Sequence, residues 1–135
     1  MSPTLIALGG FALWQLVLTF ALGIYRTMLV NTGRKAANAF APDGSDVPGF
    51  GRRLTRARDN CYENLPVFAA LVLVASASGR LALTDGLALW VLVARLGQSG
   101  THLLSTAVPA IMIRFAFYLV QVGIMAYWAV RLLFE

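Results

Sequence analysis

Four ionisable side chains stand where an apolar chain should carry none: Glu63, Arg95, His102 and Arg114. Each falls inside or at the edge of a long hydrophobic stretch. An isolated arginine at the centre of a bilayer costs about 2.5 to 3.5 kcal/mol on insertion scales, so charges placed there pair or line a cavity. Glu63 is the acidic residue best placed within a stretch, and a structural ion pair with Arg95 is expected. That pair reads equally as architecture or as part of a site. Arg114 then has no acidic partner. A spare guanidinium in a shielded pocket suits an anionic ligand or a thiolate, whereas one near the water boundary would only snorkel.

Spacing draws further polar groups towards these four. Arg56, Asn60, Glu63 and Asn64 follow one another by four, three and one residues, which puts them on one stripe of a helix. Gln98 and His102 are four apart, and so are Arg114 and Tyr118. Three segments thus each present polar groups one helical turn apart. His102 alone would be explained by a hydrogen bond between helices. The chain has one histidine and one cysteine, Cys61, so zinc, haem and an intrachain disulfide are not expected. Cys61 lies close to Arg56 and Arg58, which would favour a thiolate, yet its place near a helix start suits a small packing residue. Gly97-Gln98-Ser99-Gly100 lies within an apolar stretch and reads as close helix packing, not as a phosphate or nucleophile motif.

The elements that must hold these residues follow from hydropathy. The 135 residues are 59% hydrophobic and 13% charged, against about 25% charged in soluble domains, with a mean hydropathy of +0.71. The apolar residues come in blocks that predict four transmembrane helices at about 4–29, 56–79, 81–106 and 110–134, joined by a basic loop at 30–55. The fold expected is an all-α, integral-membrane four-helix bundle forming one domain. Met1 to Tyr25 carries no charge, so this segment reads as a retained first span and not a secretory signal. Pro66 falls early in the second span, where a proline costs least or gives a kink. Val108-Pro109 is expected to turn the chain between the third and fourth spans. The loop contains Pro42-Asp43-Gly44, which is turn chemistry, and its length fits either a functional cover or a plain connector.

Charge sets the orientation and excludes one class of partner. Arg26, Arg34, Lys35, Arg52, Arg53, Arg56 and Arg58 are seven of the eleven basic residues, and all lie in or beside the loop. Basic loops stay inside, so the loop is expected in the cytoplasm and both termini outside. A net charge of +5 in this position does not point to nucleic acid, because Phe40 and Phe50 make no stacking array. In this topology Glu63, His102 and Arg114 lie towards the cytoplasmic ends of their spans, with Arg95 at mid-depth or a little inward. All four can share one pocket in the cytoplasmic leaflet. A short chain without eukaryotic retrieval signals points to a bacterial inner membrane.

The run Arg56-Ala57-Arg58-Asp59-Asn60-Cys61-Tyr62-Glu63-Asn64-Leu65-Pro66-Val67-Phe68 resembles the second-helix signature of the MAPEG family, the membrane-associated proteins in eicosanoid and glutathione metabolism. That signature reads R-A-x-x-N-x-x-E, then an aromatic or Asn, then Pro and Phe. Ala94-Arg95 and Ile113-Arg114 are similar to its third- and fourth-helix arginines, and the likeness covers nearly the whole chain. The resemblance implies a homotrimer with sites between subunits near the cytoplasmic face. It implies glutathione as co-substrate, with Arg56, Asn60 and Glu63 holding the tripeptide; Asn64, Gln98, His102 and Tyr118, placed on the same faces by helical spacing, complete the expected binding set. Arg114 would be the catalytic residue, stabilising the thiolate. The chain departs from the pattern at Gln98 and His102, where glutathione users often carry tyrosines, and at Asp59, which would repel a carboxylate.

Three functions fit these residues. The first is a glutathione-dependent transferase or peroxidase acting on lipophilic small molecules that arrive from membrane lipid. The second is a non-catalytic membrane protein whose polar cluster binds a lipid head group or is purely structural. The third is a four-span exporter using Glu63 as proton carrier, although such proteins place their acidic residue in the first span, and here that span has none.

Overall fold

In a computed structural model of the chain, residues 1–36, 38, 40–42, 49–105 and 107–135 are described. They form four helices: α1 Pro3–Asn31, α2 Phe50–Ala77, α3 Leu81–Leu104 and α4 Val108–Phe134. All four are long and apolar enough to cross a membrane. At 1.5 Å per residue even the shortest reaches beyond a ~30 Å hydrocarbon core.

Local chemistry sets the helix ends. Ser2 caps α1 by accepting from the Leu5 amide at 3.3 Å, and Pro3 opens the first turn, where its missing N–H costs nothing. α1 and α2 end in the same way. Gly33 and Gly79 take φ of 75° and 69°, and the residue after each closes a six-residue bond back to Leu29 or Ala75. Glycine adopts that left-handed conformation at no steric cost.

Several boundaries differ from those expected from hydropathy. α2 begins at Phe50, not near Arg56, so the connector from α1 shortens to 32–49 instead of 30–55. An amphipathic first turn carries Arg52 and Arg53 outside the fully apolar stretch, and hydropathy alone does not count it as span. Val108 and Pro109 are the first residues of α4, not a turn, because a proline is tolerated where helical N–H groups have no partner. The Pro42-Asp43-Gly44 turn falls largely outside the described residues.

Packing is uneven. α3 lies centrally against α1, α2 and α4, while α4 touches α2 lightly and makes no contact with α1 among the described residues. The core runs through Phe11, Phe68 and Trp128, whose rings contact in series at 5.4 and 5.9 Å. Cys61 is fully buried in that core as a packing residue. Gly10 and Gly97 let helices approach closely: a Cβ at Gly97 would come within 2.7 Å of the Phe117 ring, and one at Gly10 within 2.8 Å of Leu92.

Candidate functional site

Above the aromatic core, towards the start of α2 and the end of α3, the interior turns polar. Arg95, fully buried, is the anchor. It lies about 21 Å along α3 from Leu81, by helical rise. Its Nε donates to Gln121 Oε1 at 3.0 Å and its Nη1 to Asn60 Oδ1 at 3.4 Å, while its Cζ sits 5.5 Å from the Phe11 ring centre. The amide of Gln121 donates to Gln98 Oε1 at 2.8 Å and to the Phe117 carbonyl at 3.1 Å. Gln98 in turn donates to Asn60 Oδ1 at 3.3 Å. Buried amides satisfied in this way avoid the cost of desolvated polar groups.

The expected ion pair between Glu63 and Arg95 is corrected by this geometry. No ion pair joins them among the described residues. Asn60 is the α2 residue that faces Arg95, and Glu63, three positions on, is rotated by roughly 60° and is exposed on the protomer. Amide oxygens and a ring face take the place of the carboxylate. Charge-assisted hydrogen bonds to neutral acceptors let a guanidinium remain buried without a second buried ion.

The network reaches the surface at His102. Its Nε2 lies 3.3 Å from Asn60 Nδ2 and its Nδ1 lies 2.7 Å from Arg114 Nη1. His102 is 7% exposed, while Arg114 is half-buried with its Nε enclosed and unpartnered. Two adjoining clefts open here. One, of about 370 Å³, brings together Arg56, Asn60, Glu63, Gln98, His102, Arg114 and Tyr118. The other, of about 340 Å³, shares Arg56, Asn60, Glu63 and His102 and adds Arg52 and Asp59. Of the residues singled out from the sequence, two lie elsewhere: Arg95 lies beneath the cleft, and Asn64 lines a neighbouring apolar cleft of about 360 Å³ with Val67, Leu71, Val122 and Met125. Tyr118 borders both the polar and the apolar cleft.

Chemically, the polar cleft can hold an anion. It carries the Arg56 and Arg114 guanidinium groups against one carboxylate, Glu63, in its lining. No cluster of metal ligands occurs among the described residues. Two contributors were not identified from sequence. Gln121 is an isolated polar residue seven positions after Arg114, hence on the same helix face, and that spacing was the available signal. Phe11 gave no signal, since an aromatic residue on an apolar helix has no distinguishing pattern.

The sequence pattern of the MAPEG family matches residues 4–134. No curated protein and no solved structure matches the chain. With that pattern and four helices able to cross a bilayer, the chain is an integral multi-pass membrane protein.

Proposed function

The chain belongs to the MAPEG family, and on that premise we propose that it is a glutathione-dependent transferase or peroxidase acting on small lipophilic compounds. The observation that carries this reading is the surplus of cationic donors over carboxylates in the cleft of Arg56, Asn60, Glu63, His102 and Arg114. Glutathione is a matching ligand, with two carboxylates, one ammonium group and a thiol. Glu63 is the partner for the ammonium group and Arg56 for a carboxylate. Arg114, with Nε shielded and unpartnered, favours the thiolate over the thiol, because a cation in a low-dielectric pocket stabilises the charged form. The proton leaves to solvent. In conjugation the sulfur bonds an electrophilic carbon, and the leaving group departs with its electron pair. In peroxide reduction the thiolate attacks the terminal oxygen, the O–O bond breaks and the alkoxide leaves as the alcohol, giving a sulfenic acid that a second glutathione converts to a disulfide and water.

The apolar cleft supports a lipophilic partner. It meets the polar cleft at Tyr118 and is lined by Val67, Leu71, Val122 and Met125, so a membrane-dissolved substrate would enter beside the sulfur. Both clefts are open on the isolated protomer, and Ile111, Met112, Phe115 and Leu119 of α4 are exposed. A homotrimer would cover this apolar face and close the clefts between subunits. The basic connector is assigned to the cytoplasm by the positive-inside rule.

Calorimetric titration of glutathione into the detergent-solubilised protein tests the proposal, together with turnover of an electrophilic aryl halide. Saturable binding and turnover that Arg114→Ala abolishes are expected. Absence of binding, or turnover indifferent to Arg114→Ala, would refute it.

A further inference from the structure

Asn64 carries a donor into surroundings that give it nothing to bond. It follows Asn60 by one turn of α2, deeper into the span, and lines the apolar cleft between α2 and α4. Its Nδ2 is enclosed and has no hydrogen-bond partner among the described residues. Val67, Leu71, Val122 and Met125 surround the same cleft and offer no oxygen. Gln121, the amide of α4, is already committed to Arg95, Gln98 and the Phe117 carbonyl. A donor left bare in apolar surroundings costs about 1 to 3 kcal/mol. Lipid supplies no water to replace the missing partner.

The cleft has a direction. α2 and α4 run the same way through the bundle, so Asn64 and Tyr118 stand at one end of it, a turn beyond Asn60 and Arg114 of the polar cleft. From there the lining passes Val67 and Leu71 on α2, and Val122, Met125 and Ala129 on α4. By helical rise that is about 10 Å along α2 and about 16 Å along α4. Tyr118 borders both clefts. A donor thus stands beside the polar cleft, with an apolar length leading away from it. The complement is a molecule with an oxygen acceptor at one end and a hydrocarbon chain behind.

We propose that Asn64 is a specificity-determining residue, whose Nδ2 donates to an oxygen carried next to the electrophilic carbon of a lipophilic substrate. The reaction rests on the glutathione reading above; the donor and its cleft do not depend on it. An α,β-unsaturated carbonyl compound has the required form, with its chain along the cleft and its oxygen at Asn64. The thiolate sulfur bonds the β-carbon, the C=C π pair shifts towards the carbonyl, and the oxygen gains the charge of an enolate. The α-carbon then takes a proton from water. As charge develops on the oxygen the Asn64 hydrogen bond strengthens, which lowers the barrier and does not merely tighten binding. An electrophile without oxygen gains nothing from this donor.

Two measurements separate the donor from the reaction. Carbon-13 NMR of carbonyl-labelled methyl heptyl ketone, an unreactive analogue, should show a downfield carbonyl resonance with the detergent-solubilised protein that Asn64→Leu loses. No such resonance, or one that persists in Asn64→Leu, overturns the proposal. With glutathione present, Asn64→Leu should lower kcat/KM for trans-nonenal relative to that for benzyl chloride, which has no oxygen, by about ten- to a hundredfold. Turnover of both with an unchanged ratio refutes the inference and leaves the glutathione reading standing. An Asn64-dependent ketone resonance beside that unchanged ratio would assign the cleft to the ester carbonyl of a membrane lipid. The same resonance in a protein that binds no glutathione keeps the donor site and removes the glutathione reading. Should Asn64→Leu fail to fold, the wild-type protein decides. Methyl heptyl ketone should inhibit conjugation of trans-nonenal about tenfold more strongly than decane, and equal inhibition contradicts the proposal.

Discussion

The two ends of the bundle use similar polar residues to opposite effect. At the end bearing both termini, the Thr4 amide donates to Asp85 at 3.0 Å and its hydroxyl lies 2.7 Å from that of Thr84, tying α1 to α3. Arg80 places its two Nη groups on the carbonyls of Leu132 and Arg131 at 3.2 and 3.0 Å, covering the C-terminus of α4. There the cations meet acceptors within the fold. At the opposite end Arg95 donates to amide oxygens through Nε and Nη1, but its buried Nη2 and the Nε of Arg114 are left without an acceptor. A polar cluster whose donors and acceptors match holds a fold together. One left with surplus donors at the wall of a cleft has capacity for a ligand.

Mutations separate these roles. Arg114→Ala should produce the largest effect, lowering turnover by about a hundred- to a thousand-fold, as loss of a donor to a developing or stabilised anion does. Thermal stability in detergent should change little, because the residue is only half-buried. Next, Arg95→Leu should destabilise the bundle by about 2 to 4 kcal/mol, seen as a lower melting temperature, since the buried oxygens of Gln121 and Asn60 lose their donor. Glu63→Gln should weaken glutathione about tenfold by calorimetry. It should leave stability within about 0.5 kcal/mol, as Glu63 is exposed and not paired with Arg95. The smallest effect belongs to the other end: Arg80→Ala should cost about 1 kcal/mol of stability and leave glutathione affinity unchanged. A reversal, with Glu63→Gln destabilising or Arg80→Ala weakening binding, would erase the distinction between the ends.

Hydropathy made the four helices legible, because lipid demands long apolar runs and forbids unsatisfied backbone. Their ends were less so. The amphipathic start of α2 at Phe50 carries charged residues that hydropathy does not count as span, and the helical Val108-Pro109 reflects the first-turn tolerance of proline, which hydropathy does not register. In the candidate site, the spacing of Arg56, Asn60 and Glu63, of Gln98 and His102, and of Arg114 and Tyr118 pointed to common faces, and these residues line one cleft. Sequence misassigned the partner of Arg95. Charge complementarity favoured Glu63, while helix rotation selected Asn60 and the interior of α4 supplied Gln121. Hydrogen-bond direction was not legible at all, since it depends on which oxygen each amide turns towards arginine.

Ultraviolet difference absorbance of glutathione bound at neutral pH reports whether the surplus cation holds an anion. Saturating glutathione should give a thiolate band in the wild-type protein, and Arg114→Ala should lose that band. Bound glutathione that remains a thiol, or a band of the same size in Arg114→Ala, would contradict the role assigned to the donor surplus.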